Sequence, residues 1–184
     1  MNETLKTIAE RNSCRDFKDT PVTDEQLKLI VNAALAAPSG VNRQPWYLVV
    51  VKNKAIIDEL NEEGMRILAG ADDKTLYERM MGRGGKLLYN APCLIYVLSD
   101  GSTYATMDCG ILAQNITLAA QSLGLSSCIV GMANIPLTGL RGDEFKKRLK
   151  FPDGYVFGIG VLVGIPNTGK EPHDLDPGKV TYID

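Results

Sequence analysis

The sequence has one histidine, four cysteines, one tryptophan and almost no net charge, and most of these scarcities close off a class of function. With a single histidine there is no His-rich metal centre, and histidine-dependent catalysis reduces to a question about His173. That residue follows a proline in a polar tail, where a solvated loop position is the plainer reading and a catalytic triad has no further motivation. Cys14, Cys93, Cys109 and Cys128 are widely spaced and form no Cys-x-x-Cys pair, which removes the zinc-ribbon, finger and thioredoxin patterns. Each sits among apolar or small neighbours, so buried free thiols and a cytoplasmic setting are expected. Lys+Arg 20 against Asp+Glu 22 leaves a net charge of −2, without the basic excess of a nucleic-acid binder. No run approaches the ~20 apolar residues of a membrane helix. The first residues, Met1 to Lys6, are followed by no apolar signal core. Neither nucleic acid nor membrane is expected as a partner.

What is present is an ordinary globular composition: 184 residues, 45% hydrophobic and 23% charged. This length fits one domain over 1–184 and buries roughly 70% of the unfolded surface without needing a metal or disulfide. Helical spacing is predicted at 4–11. It recurs from Thr23, where Gln26 three residues on completes a capping box ahead of an apolar stripe ending at Pro38. A β-rich run covers 46–52, a helix 54–70, a mixed segment 71–90 and a strand 92–99. From Thr103 to Leu123 the helix is apolar or small on nearly every face, as in a helix enclosed on all sides. A domain this small has few means to enclose it, so a homodimer is inferred. Gly124 ends that helix. A strand at 127–132, a short charged helix at 139–149 and a glycine-interrupted strand at 155–165 follow. An extended C-terminal arm then closes with a small β-like piece at Val180–Ile183.

Two nucleotide motifs fail. Gly164-Ile-Pro-Asn-Thr-Gly169-Lys170 approaches a phosphate loop, but Glu171 stands where the metal-holding hydroxyl belongs, and Pro166 and Pro172 interrupt the geometry. Gly158 and Gly160 are not continued into Gly-x-Gly-x-x-Gly, so a dinucleotide-binding Rossmann domain is unsupported.

Three segments carry chemistry. In Arg11-Asn12-Ser13-Cys14-Arg15, an extended backbone projects Arg11, Ser13 and Arg15 to one side. Two guanidinium groups around a hydroxyl suit a phosphate. A solvated basic turn neutralised by Asp16 and Asp19 is the competing reading. In Ala37–Trp46, a loop fixed by Pro38 and Pro45, Asn42 and Gln44 each offer an amide donor and acceptor. Such a set matches a ligand edge of alternating polarity, such as a flavin pyrimidine; turn chemistry alone is the other reading. In Gly124–Gly131, a strand ending in a glycine lets backbone approach a ligand and offer N–H groups. Cys128 there has no sequence-local base and is read as packing.

These segments, in this order, resemble the nitroreductase family of FMN-dependent oxidoreductases. The resemblance is carried by Arg-x-Ser-x-Arg-x-Phe (Arg11 to Phe17), Ala-Pro-Ser-x-x-Asn-x-Gln-Pro-Trp (Ala37 to Trp46) and Asn90-Ala91-Pro92 leading into a strand. The Asp108-to-Gly131 helix and strand and the glycine-rich strand ending at Pro166 extend it. It implies an α+β three-layer sandwich, a mixed, mainly antiparallel sheet flanked by helices, forming a homodimer with FMN at the subunit interface. It implies that Arg11 and Arg15 hold the FMN phosphate, with Asn12 and Ser13 near the ribityl chain or ring edge. Asn42 and Gln44 would meet the pyrimidine. The Cys128, Ile129, Val130 and Gly131 backbone would face N5 and O4, and Ser39 would come from the partner subunit. Chemistry would then be ping-pong, NAD(P)H giving a hydride to the flavin and a nitro compound, quinone or other small acceptor taking the electrons. No catalytic side chain is required. A flavin carrier or sensor is the alternative, and a reductive dehalogenase or ring-cleaving relative a third reading. The basic pair that often completes the phosphate site late in the chain is missing, which leaves Lys170 as the candidate. A substrate lid is expected within 64–89, where Met65, Tyr77, Met80, Met81 and Arg83 could line it or simply be helix core and solvated charge.

Overall fold

A computed structural model describes residues 1–183. Its centre is a four-stranded sheet in the order β1-β2-β4-β3, built from β1 (Trp46–Val51), β2 (Cys93–Ser99), β3 (Ser126–Val130) and β4 (Val156–Gly164), with every neighbouring pair antiparallel. Parallel pairing is confined, among the described residues, to an isolated bridge between Ser13 and Ser127. β2 is buried along its whole length, and its alternation sorts the two layers. Cys93, Ile95 and Val97 face α2 (Asp24–Leu35) and α5 (Ala105–Ser122), while Leu94, Tyr96 and Leu98 face α3 (Lys54–Gly70), α6 (Ile135–Thr138) and α7 (Gly142–Arg148). Helix, sheet and helix therefore make an α+β sandwich of three layers.

The helix boundaries follow local chemistry. Thr23 and Gln26 form both arms of the expected capping box: Gln26 N–H donates to Thr23 Oγ1 (3.2 Å) and Thr23 N–H to Gln26 Oε1 (3.1 Å). Gly124, at φ +72, ends α5 in the left-handed turn that glycine favours, and Leu125 N–H closes back on the Ala120 carbonyl at 2.9 Å. α1 (Glu3–Glu10) is capped by Asn2 and buries none of its own residues. The mixed stretch after α3 contains α4 (Thr75–Met81), whose Met80 is buried with Leu68 and Leu87 in a small satellite core.

As expected of a domain this small, α5 is not enclosed within one chain: Cys109, Leu112, Ala113, Ile116 and Ala120 are buried, while Tyr104, Met107, Gly110 and Gln114 are exposed along the other side. Two expectations are corrected. β3 ends at Val130, and Gly131 opens a 3-10 turn, Gly131–Asn134, that leads into α6. The piece at Val180–Ile183 forms no strand. Residues 167–183 are exposed throughout, with a single 3-10 turn at Pro177–Lys179, and Val180 N–H bonds locally to the Pro177 carbonyl (3.3 Å). An extended piece without a neighbouring strand has no ladder to join.

Candidate functional site

The segment after α1 crosses the sheet's β3 edge and is stitched down by backbone. Cys14 N–H donates to the Ser127 carbonyl (2.9 Å), Phe17 N–H to Tyr89 (3.2 Å), Lys18 N–H to Ile165 (2.9 Å), and Asn167 N–H to Asp16 (3.0 Å). Cys14 turns into the core, which leaves Ser13 and Arg15 on the other side of the segment; Phe17 is buried as well, so the alternation does not continue past Arg15. The surroundings of Cys128 register the result. Burial pushes its thiol up, and the charges of Arg15 and Arg11 and a hydrogen bond from Ser13 pull the other way. Arg11, Ser13 and Arg15 thus converge beside β3. Asn12, between them, is half-buried and its side chain reaches back to the Glu10 carbonyl at 3.5 Å.

β3 carries Cys128 and Val130 inward and Ile129 outward. At Gly131 the backbone is exposed, its φ lies outside the left-handed region, and a Cβ added there would meet nothing within 4 Å. The fold itself therefore gives no reason for glycine at this position. By contrast a Cβ at Gly160 would come within 2.7 Å of Ala133 Cβ, so that glycine is explained by packing.

The second segment forms a separate knot. Gln44 N–H donates to Ser39 Oγ (2.9 Å) and Gln44 Nε2 to Asn42 Oδ1 (3.1 Å). Asn42 and Gln44 are exposed, and among the described residues no hydrogen bond engages the Asn42 amide donors or the Gln44 side-chain oxygen. Val41, Asn42 and Gln44 have φ of 47°, 55° and 51°. Arg43 pairs with Asp100 at 3.2 Å, and Gly40 N–H meets Asp108 on α5. This knot packs on the N-terminal end of α5, whereas the Arg11–Arg15 segment lies against the strand that follows its C-terminal end. From Asp108 to Ser122 the helix runs about 20 Å at ~1.5 Å per residue. Among the described residues no hydrogen bond or ion pair joins the two groups.

Lys170 lies on the exposed tail, three residues beyond Asn167, whose amide also donates to the Phe17 carbonyl (3.1 Å). The tail is thus anchored beside the arginine segment just before Lys170. Lys86 is a cation that sequence reasoning missed: its Nζ stands 3.7 Å from Asp16 Oδ1, an oxygen that is buried and accepts no hydrogen bond. The Asn90 amide donates to the Phe17 carbonyl (3.3 Å) and to Asp19 (2.8 Å). No sequence signal marks Lys86, because its neighbours come from a turn 70 residues away. In the lid region, Met65, Tyr77 and Met81 line a groove of about 390 Å³ between α3 and α4. Met80 is core instead, and Arg83 donates to the Tyr89 hydroxyl (3.2 Å). All four cysteines are free and buried, with burial pushing Cys93 up to about 12 and Cys109 up to about 11. His173 is exposed in the tail. Among the described residues no helix is long and apolar enough to cross a membrane.

The profile of the nitroreductase family matches residues 8–165. A protein of Archaeoglobus fulgidus named NADH dehydrogenase/NAD(P)H nitroreductase is 30% identical over 182 residues, covering 96% of this chain and 92% of the relative. An FMN reductase [NAD(P)H] of Bacillus subtilis is 29% identical, covering 94% of this chain and 70% of its own length. Among solved structures, a nitroreductase with bound FMN from Desulfitobacterium hafniense superposes with a TM-score of 0.96 at 52% identity, covering 100% of both chains.

Proposed function

The chain belongs to the nitroreductase family, and from that premise we propose that it is an FMN-dependent oxidoreductase drawing on NAD(P)H and reducing a nitro compound, quinone or similar small acceptor. The observation that carries this reading is the pairing of two features on one edge of the sheet. The Arg11–Arg15 segment is bridged to β3 through Ser13 and Ser127, with both arginine charges felt at Cys128, and the same strand leads to a glycine whose Cβ direction is open. A phosphate-bearing ligand with a flat ring fits that arrangement, and the related chain from D. hafniense holds FMN.

FMN, when bound, would supply the hydride and electron-transfer chemistry that the side chains of this chain do not provide. The chain's own groups bind and orient. Arg11 and Arg15 hold the phosphate through charge-assisted hydrogen bonds, which are stronger than neutral ones. Lys170 and Lys86 add positive charge nearby. Ser13 and Asn12 meet the ribityl chain, and Asp16 Oδ1 offers an acceptor to a hydroxyl there. The Val130 and Gly131 amides face N5 and O4, and Cys128 and Ile129 shape the backbone that carries them. Asn42 and Gln44 meet the pyrimidine edge.

The separation of the Ser39–Gln44 knot from the arginine segment favours a homodimer in which each copy brings Ser39 to the other's flavin. Gly110 supports the same assembly. It sits inside α5, where glycine costs ~1 kcal/mol relative to alanine, and a Cβ there would meet nothing within 4 Å. A second copy of α5 pressed against that face gives the glycine a purpose.

The experiment is anaerobic mixing of the FMN-loaded protein with NADH and, separately, NADPH. Bleaching of the visible flavin band within catalytic time, followed by recovery on adding a nitroaromatic or quinone, is the expected result. A protein that binds FMN but is bleached by neither donor is a carrier or sensor. One that is bleached but not reoxidised by any of these acceptors has a different substrate class.

A further inference from the structure

Asp108 is a buried carboxyl group to which the flavin reading gives no task. It lies in the first turns of α5 and is 4% exposed. Its two oxygens reach a single N–H, that of Gly40, at 3.3 and 3.4 Å, across 68 residues of sequence. Burying a carboxyl group is unfavourable unless hydrogen bonds offset the lost water. Here the offset is one backbone donor and the favourable field at a helix N-terminus.

What that donor begins is, among the described residues, the densest run of left-handed non-glycine backbone. Three of the four residues from Val41 to Gln44 are non-glycine residues in the left-handed region. A β-branched residue is a genuine outlier there, and Val41 is 100% exposed, so no packing within the chain holds it. Conformations of this kind are costly and persist only where the surroundings enforce them. The ties from Ser39 to Gln44 and from Gln44 to Asn42 lie inside the loop and cannot fix it to the body of the protein. Arg43–Asp100 is an exposed pair, with the Arg43 side chain 58% accessible, and such pairs hold weakly. The Asp108–Gly40 contact is the tie that comes from a rigid helix.

We infer that Asp108 is a positioning residue: its carboxyl group pins Gly40 to α5 and so holds Ser39, Asn42 and Gln44 in the strained geometry that meets the flavin. The inference rests on the FMN reading for its consequence but not for the tie itself. Without the tie the loop relaxes toward ordinary backbone, and only a fraction of molecules present the binding geometry. Apparent affinity falls by that fraction.

The test compares Asp108→Ala and Asp108→Asn with the wild type in two measurements. Hydrogen exchange on the apoprotein should quicken in the 39–44 segment of D108A and stay near wild type in D108N, whose side-chain oxygen still accepts from Gly40. FMN titration should give a dissociation constant about tenfold weaker in D108A and within about threefold in D108N, the size expected when the competent fraction drops to about a tenth. D108A with wild-type exchange and wild-type affinity overturns the inference. So does a D108A protein that exchanges faster everywhere and melts lower while its folded fraction binds FMN normally, because Asp108 is then only a stabilising residue. If D108A fails to fold, D108N with fast exchange at 39–44 overturns it, and D108N with retained protection supports it. Wild-type protein that binds no FMN refutes the flavin reading instead, and the exchange measurement still decides whether Asp108 holds the loop.

Discussion

Gly131→Ala should leave the fold intact and damage the site. A Cβ at this position meets nothing within 4 Å, and the glycine does not occupy the left-handed region. Alanine therefore introduces no clash and narrows the unfolded ensemble, which stabilises by ~0.4–1 kcal/mol at a compatible position. The apoprotein should melt at the wild-type temperature or slightly above it. Binding should respond in the opposite sense. An amide that hydrogen-bonds a ring atom brings the two to about 3 Å, whereas a methyl carbon on the same residue needs ~3.5–4 Å. The ring is pushed off the amide, and losing one such hydrogen bond, together with the desolvation of its partner, costs roughly 1–3 kcal/mol. At ~1.4 kcal/mol per decade, the dissociation constant rises about five- to hundredfold. Fluorescence titration with FMN and thermal melting of the apoprotein measure the two quantities separately. Gly160→Ala supplies the contrast. Its Cβ would lie 2.7 Å from Ala133 Cβ and 3.1 Å from the Val130 carbonyl, so it should cost ~1–3 kcal/mol of stability. Wild-type FMN affinity in G131A, or a fall in its melting temperature parallel to that of G160A, would falsify the placement of the ring at Gly131.

Arg11→Ala and Arg15→Ala should each weaken FMN binding by about tenfold or more while leaving riboflavin affinity nearly unchanged, because a guanidinium–phosphate bond is charge-assisted; equal losses for both ligands would mean the arginines do not read the phosphate. Gly110→Leu should shift the protein from dimer to monomer in sedimentation velocity, and a wild-type dimer would place the interface elsewhere. Glu59 is held down to about 2 from an ordinary 4.5, first by its hydrogen bond from Arg148 and then by that from Arg141, which tie α3 to α7. A depressed carboxyl contributes stability above its unfolded value and loses it as pH falls through the folded one. The difference in melting temperature between wild type and Glu59→Gln should therefore be full above pH 4.5 and close as pH drops toward 2; a constant difference across that window means the pair contributes nothing through charge.

Regular elements were legible wherever a local signal and a burial pattern agreed. Thr23 with Gln26, the apolar stripe from Leu27 and the stop at Gly124 are examples, and each appears in the structure. The near-continuous apolar runs of β1, β2 and β4 were equally plain. α4 was not, because its buried face is little more than Met80 and Leu76 packed on a satellite core, too short a pattern to show a period. The terminal β-like piece misled for the opposite reason: its residues favour a strand, but strand formation depends on a neighbour that local sequence does not supply. At the site, residue types were readable and their connections were not. Asn42 and Gln44 stand out by their amides, yet nothing local announces that three positive φ values crowd beside them or that a carboxyl group 68 residues away takes the Gly40 N–H. Lys86 approaches Asp16 from a different part of the chain altogether.

The stitching of the arginine segment also sets when the site can exist. Its backbone is held by Ser127 in β3, Tyr89 before β2 and Ile165 at the end of β4, and the Asn167 amide reaches the Phe17 carbonyl across 150 residues. Arg11 and Arg15 are synthesised well before the surface that aims them. Contacts of such separation carry a loop-closure cost that is met only once the sheet between them has formed. A chain still emerging, or one trimmed before β4, carries both arginines and no cradle. Cofactor capture is on this account a late event that selects finished molecules, and retention of FMN reports completion of the fold.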